Sequence, residues 1–204
     1  MMTKFDLYLA SQSPRRRELL TQVGISFDVL SVDIDETEKE NESANDYVVR
    51  LAREKALAGW RSEKQENKPV LGSDTAVVIN GTILGKPENH TDAVRMLSLL
   101  SGNTHQVMTA VALIKPAENA AQTQQYELSS VINVSDVTFK VLSEHEIEQY
   151  VQTGECHDKA GSYAIQGKAA AFITHLSGSY SGVMGLPLFE TVELLNKAAI
   201  STDF

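Results

Sequence analysis

A single cysteine, Cys156, stands in the whole chain, so no internal disulfide can close, and a zinc site built on paired cysteines is excluded. Taken alone, that thiol reads as a small buried or loop residue rather than a nucleophile. No apolar run approaches the ~20 residues that a membrane helix needs. Basic residues are scarce as well: 18 Lys and Arg face 27 Asp and Glu, a formal charge of −9 at neutral pH. Such a chain repels nucleic acid and anionic lipid over most of its surface, so neither a nucleic acid polymer nor a membrane is an expected partner. The opening Met1-Met2-Thr3-Lys4-Phe5-Asp6 reaches an acid before the apolar core of a leader could form, which makes the cytoplasm the expected location. Internal repeats and low-complexity tracts are missing too.

What is present is ordinary globular composition over 204 residues, with 42% apolar and 22% charged. That length suits one domain, or two small lobes sharing a core. Strand patterns alternate with helix patterns. Phe5 to Ala10 reads as a strand, and Ser13-Pro14 as the cap and first residue of a helix that ends at Gly24. Phe27 to Ile34 reads as a strand running into acid. Ser43 to Trp60 is a strongly amphipathic helix, and Val70 to Ile79 a buried strand. Asn80-Gly81 signals a hairpin returning through Thr82 to Leu84. A helix follows from Thr91 to Leu100, then strands over Gln106–Ile114 and Glu127–Leu142. Ser143 and Glu146 form a capping box for a helix to about Gln152, and Pro187 opens a last helix over Leu188–Ala199. Arg61 to Lys68 and Pro116 to Gln125 are polar surface loops. The hairpins make the sheet mixed, so the expected class is α/β, with two lobes and a cleft between them.

Several residues sit where the local pattern disfavours them. Ser11-Gln12-Ser13-Pro14-Arg15-Arg16-Arg17 gathers hydroxyls and guanidiniums at a helix N-terminus. Cations there oppose the helix dipole, and a bound phosphate would resolve the conflict, whereas the plain alternative is a solvated basic turn. Ala44, Val48, Leu51, Ala52 and Ala56 make an apolar stripe with Lys55 in its middle. Lys55 either snorkels to water or meets an anion, and the pattern leaves both open. Asp74 interrupts an apolar strand, so it must be paired, metal-bound or catalytic, or else a hydrogen-bonded structural carboxylate. Gly72 beside it leaves room for a ligand or another backbone.

Asp33, Asp35, Glu36 and Asp74 supply the oxygen ligands that magnesium or manganese prefers, although the Asp33–Glu38 segment alone reads as a solvated acidic turn. Lys86 in Gly85-Lys86-Pro87 fails the phosphate-loop pattern, because Pro87 replaces the hydroxyl that would hold magnesium. It reads as a lone loop cation. The histidines are scattered without metal spacing. Gln166, in Ala164-Ile165-Gln166-Gly167, is either a turn residue or an amide able to read a base edge.

Taken together, these segments resemble the Maf family of nucleoside triphosphate pyrophosphatases. The resemblance is carried by Leu9-Ala10-Ser11-Gln12-Ser13-Pro14-Arg15-Arg16, Arg53-Glu54-Lys55-Ala56, Gly72-Ser73-Asp74-Thr75 and Gly85-Lys86-Pro87. It continues through Leu100-Ser101-Gly102, Asp158-Lys159-Ala160-Gly161, Ile165-Gln166-Gly167, Gly178-Ser179-Tyr180 and Gly185-Leu186-Pro187, in family order over nearly the whole chain. Ser73 stands where some members carry Ala. The form with Gln166 resembles the branch acting on dTTP and UTP.

The resemblance implies a single Maf/ITPase-like domain over 1–204: two lobes, a mixed central sheet flanked by helices, and the active site in the cleft. It implies hydrolysis of a nucleoside triphosphate to the monophosphate and pyrophosphate. Asp74 matches the general base and, with Glu36, the ligands of a divalent cation, Mg or Mn. Lys55 and Lys86 match cationic site residues. Ser11, Ser13, Arg15 and Arg16 match the triphosphate contacts, with Lys159 a further phosphate contact. Arg16, Thr75 and Gln166 match positions linked to substrate choice. A homodimer is implied as well. The alternatives are the same reaction on another or modified nucleotide such as 7-methyl-GTP, and a nucleotide-sensing regulator of septum formation.

Overall fold

A computed structural model describes residues 5–64, 66–117, 125–200 and 202. Seven strands form one mixed sheet in the order β2-β1-β3-β5-β6-β7, with β4 paired to β3. The strands are β1 Leu7–Leu9, β2 Phe27–Val29, β3 Val70–Ile79, β4 Thr82–Leu84, β5 Thr104–Pro116, β6 Tyr126–Phe139 and β7 Ile173–Ser177. The helices are α1 Pro14–Gln22, α2 Ala44–Trp60, α3 His90–Leu100, α4 Glu144–Gln152, α5 Tyr180–Met184 and α6 Leu188–Lys197. The sheet is mixed as expected: β1 runs parallel to β2 and β3, whereas β3–β4 and β6–β7 are antiparallel. No described helix is long and apolar enough to cross a membrane.

The chain divides into two compact units. The first holds residues 1–74, 109–132 and 185–204, the second 75–108 and 133–184. The first unit is built on β1, β2 and α2. Of the stripe that the periodicity predicted, Val48, Leu51, Ala52 and Ala56 are buried on α2 and Ala44 at its first turn is half-buried, while Trp60 extends the buried side. The second unit has its own apolar core, in which Leu97, Leu100, Val137, Phe139, Ile147 and Val151 are buried. Here α3 packs on α4. Cys156 is buried in this core and its thiol is pushed up by burial, in keeping with a packing role.

Three expectations are corrected. β2 stops at Val29, not Ile34: its partner β1 ends at Leu9, and the Leu30 amide makes a last bond to the Leu9 carbonyl. Residues 31–34 lie outside the sheet. β7 and α5 were not expected in the Gly- and Ser-rich stretch after Gly154. Gly178 permits β7 to lie on β6, since a Cβ there would come within 2.8 Å of the Ser135 Cβ. Ser13 occupies the N-cap position of α1 but its side chain makes no cap hydrogen bond. Instead the Ser13 amide donates to the Ser11 hydroxyl at 3.2 Å. The capping box of Ser143 and Glu146 forms on α4 as expected, and the Ser43 hydroxyl caps α2.

Candidate active site

In the first unit the site starts from two glycines. α2 lies so close to β3 that a Cβ at Gly72 would sit 2.6 Å from the Ala56 amide nitrogen, and one at Gly59 2.7 Å from a Val70 methyl. Gly72 therefore leaves room for a backbone, that of α2. This approach brings Lys55 of α2 onto Asp74 of β3. The Lys55 ammonium donates to Asp74 Oδ1 at 2.6 Å and reaches Glu36 Oε1 at 2.7 Å, with its side chain only 14% exposed. Of the two readings of Lys55, the anion partner is the one realised. Burial pushes the Asp74 carboxyl above its ordinary value, against the pull of Lys55 and Arg16. Its Oδ2 makes no hydrogen bond with the described residues.

Glu36 lies outside any helix or strand, so something must hold it. The Tyr47 hydroxyl donates to the Glu36 carbonyl at 3.0 Å, and Arg50 donates to the Thr37 carbonyl at 3.0 Å while clasping Glu42. Both residues come from α2, the helix that carries Lys55. Burial and the charges of Asp74 and Glu36 push the Tyr47 phenol up to about 12, so it stays a neutral donor. Sequence reading gave Tyr47 and Arg50 no part. The only available signal was the i,i+4 spacing of Arg50 and Glu54, which do pair at 3.2 Å.

The α1 N-terminus supplies the third part. Arg16 donates through Nε to the Gly185 carbonyl at 2.8 Å and through Nη1 to the Ser11 hydroxyl at 3.2 Å. The buried Ser73 hydroxyl donates to the same Gly185 carbonyl at 3.0 Å. This places Ser73 in a network that ties the start of α1 to β3. Burial lowers the Arg16 guanidinium from its ordinary value, with Asp74 and Glu36 acting in the other direction. It remains a cation all the same. Arg15 is half-buried in the same turn. A helix start without a side-chain cap, next to guanidiniums and hydroxyls, presents donors and positive charge suited to an anion. Ser11, Ser13, Arg15, Arg16, Glu36, Lys55 and Asp74 thus all belong to the first unit.

The remaining candidates belong to the second unit. Thr75 follows Asp74 in β3 and, by strand alternation, shares the face of Ser73 rather than that of Asp74. Lys86 follows β4, and the neighbouring Gly85 carbonyl accepts from the Gly161 amide at 3.0 Å. It borders a cavity of about 740 Å³ lined also by Asn89, His90, Arg95 and Met96. Lys159 pairs with Asp158 just before that same Gly161 turn. Gln166 is exposed on the turn after buried Ile165 and makes no hydrogen bond with the described residues.

Glu36 and Asp74 are the carboxylates available to a divalent cation, and among the described residues no cluster of three or more His, Cys, Asp and Glu side chains forms a metal cage. This donor set fits magnesium or manganese, which typically take one or two carboxylates and complete their shell with water and substrate phosphate.

An acid and a base paired in the unit that also bears an arginine-lined helix start are groups suited to phosphate chemistry, carried here on an α/β fold. The chain matches the family model described as Maf-like protein over residues 6–198, and it belongs to that family. It is 52% identical over 199 residues to a dTTP/UTP pyrophosphatase of Pseudoalteromonas atlantica, covering 97% of this chain and 99% of that one. A protein of the same name from Aliivibrio fischeri is 53% identical over 195 residues, covering 94% and 97% of the two chains. Another from Salmonella typhimurium is 54% identical over 190 residues, covering 93% and 91%.

Proposed function

We infer that this chain is a nucleoside triphosphate pyrophosphatase acting on dTTP and UTP. The observation that carries the reading is the half-buried Lys55 held between Asp74 and Glu36, in the unit that also bears the arginine-lined start of α1. The names of the relatives, at about half identity over nearly full length, support the substrates.

The proposed chemistry needs a water and one proton acceptor. Asp74 takes the proton of the water on the oxygen that Lys55 does not occupy. The water oxygen bonds to the α-phosphorus, and the bond from that phosphorus to the bridging oxygen breaks. The products are the nucleoside monophosphate and pyrophosphate. Lys55 fixes the orientation of Asp74 and offsets charge that develops on the phosphate. Ser11, Ser13, Arg15 and Arg16 hold the triphosphate, which carries several negative charges at neutral pH. Lys86 and Lys159 add phosphate contacts, and Thr75 and Gln166 select the base. A magnesium or manganese ion held by Glu36 and Asp74 would supply charge neutralisation on the phosphates and acidify water. Residues 1–204 act as one functional domain in this reading, as a homodimer in the cytoplasm, where free nucleotides reside.

Product analysis tests the proposal. Purified protein with magnesium or manganese is expected to convert dTTP and UTP to monophosphate and pyrophosphate. Asp74→Asn should lower kcat/KM at least 1000-fold, within the usual range for loss of a general base, by roughly 4 kcal/mol. Release of inorganic phosphate instead, or full activity in Asp74→Asn, would refute it.

A further inference from the structure

Gln166 sits on a short turn in the second unit, and a base-reading amide is useful only if its turn is held still. The Gly167 amide closes the turn onto the Ala164 carbonyl at 3.0 Å. Both ends of the turn are then fastened from outside. At its start the Ala164 amide donates to the Tyr150 hydroxyl at 3.2 Å. At its end the Lys168 amide donates to Glu155 Oε2 at 3.1 Å. The two anchors are joined, because the Tyr150 hydroxyl donates to Glu155 Oε1 at 2.9 Å. The Glu155 carboxylate also packs on Gly167 so closely that any Cβ there would collide with it. One phenol and one carboxylate therefore fix residues 164, 167 and 168, while the Gln166 side chain between them stays exposed.

We propose that Tyr150 and Glu155 are positioning residues for substrate choice: they clamp the Ala164–Lys168 turn so that Gln166 meets a pyrimidine base in one geometry. This rests on the reading of Gln166 as a base-contacting residue. Burial and the Glu155 bond push the Tyr150 phenol far up, so the clamp keeps its proton at every working pH. The Tyr150 ring packs on Phe172 with centroids 5.3 Å apart, a contact that Phe at 150 would keep. Tyr150→Phe thus removes the anchor at Ala164 and the bond to Glu155 while keeping the ring packing.

The test measures kcat and KM for dTTP, UTP and dCTP in wild type, Gln166→Ala, Tyr150→Phe, Glu155→Ala, Glu155→Gln and the doubles with Gln166→Ala, with Tm measured throughout. Gln166→Ala is expected to lower the preference for dTTP over dCTP about tenfold. Tyr150→Phe and Glu155→Ala should lower it about threefold to tenfold, with most of the loss in KM. Glu155→Gln, which keeps an acceptor, should recover much of it. On the Gln166→Ala background neither clamp variant should lower the preference further. Wild-type preference in Tyr150→Phe, or losses that add to those of Gln166→Ala, would overturn the proposal. If Glu155→Ala does not fold, Tyr150→Phe carries the same test. Unchanged preference in Gln166→Ala is a separate pattern: it refutes the reading of Gln166, and the clamp falls with it.

Discussion

The two units differ in the kind of polar group they bury. In the first, the buried Asp74 carboxyl of β3 is paired with the half-buried ammonium of Lys55 from α2. In the second, the buried His105, Ser162 and Tyr163 are neutral, and the bonds they make are to neutral partners. His105 Nε2 bonds the Tyr163 hydroxyl at 2.8 Å, and the Ser162 hydroxyl meets the Met96 sulfur at 3.1 Å. Around them aromatic rings meet edge to face, Phe139 with Tyr163 at 4.9 Å and His105 with Phe139 at 5.1 Å. Burying charge is costly, and a fold that only needed stability would use the second solution throughout. The first unit keeps its charges where phosphate chemistry would use them. The second is built to hold loops in place.

The largest expected effect comes from breaking the charged pair. Lys55→Met leaves the Asp74 carboxylate buried without its closest cation, which costs about 3 kcal/mol of stability at neutral pH. The loss should shrink on acidification, when Asp74 takes a proton. Tyr163→Phe in the second unit removes a neutral hydrogen bond and should cost only about 1 kcal/mol at any pH between 5 and 8. Urea unfolding of both variants at two pH values checks this. Equal costs would erase the distinction between the units.

Acid titration sharpens the same comparison, because the two buried groups shift in opposite senses. Burial lowers His105 to about 4, below its ordinary 6.5. Its folded pKa is depressed, so between about 6.5 and 4 the unfolded chain binds the extra proton, and stability is lost as pH falls. The full contribution is about 3 kcal/mol at most. Asp74 is raised, so its folded form binds the extra proton, and stability is lost as pH rises through its folded value. His105→Leu should flatten the loss of unfolding free energy between pH 6.5 and 4.5. Asp74→Asn should steepen it. A slope unchanged in both variants would show that neither group governs it.

Much of this was legible in the sequence where the cause is local. The stripe of α2, the Asn80-Gly81 hairpin and the Ser143–Glu146 box each depend on neighbours a few residues away, and each forms. Lys55 and Asp74 were legible as misfits, since a charge on an apolar stripe or in an apolar strand demands a partner. What was not legible depends on residues far apart in the chain. Ser73 and Gly185, separated by 112 positions, meet only in the fold. Tyr47 and Arg50 hold the Glu36 segment by bonds to backbone carbonyls, which leave no pattern in side-chain type. β7 was hidden because its strand pairing relies on Gly178 lying against Ser135, not on an alternating run.

The smallest effect concerns two serines in the same formal position, one in each unit. Ser143 caps α4 through its hydroxyl and receives Glu146 in return. Ser13 occupies the cap position of α1 and gives it no such bond. A serine that caps is worth about 1 kcal/mol, so Ser143→Ala should lower stability by that amount and leave nucleotide KM unchanged. Ser13→Ala should move stability by less than about 0.5 kcal/mol, the range of substitutions that break no such feature. Its effect should appear instead as a KM several-fold higher for dTTP, because the hydroxyl and the uncapped amides beside it are then missing one donor to phosphate. Chemical denaturation with steady-state kinetics on both variants decides the matter. A stability loss in Ser13→Ala equal to that in Ser143→Ala would mean that Ser13 serves the helix. The phosphate contacts at α1 would then fall to Ser11 and the arginines alone.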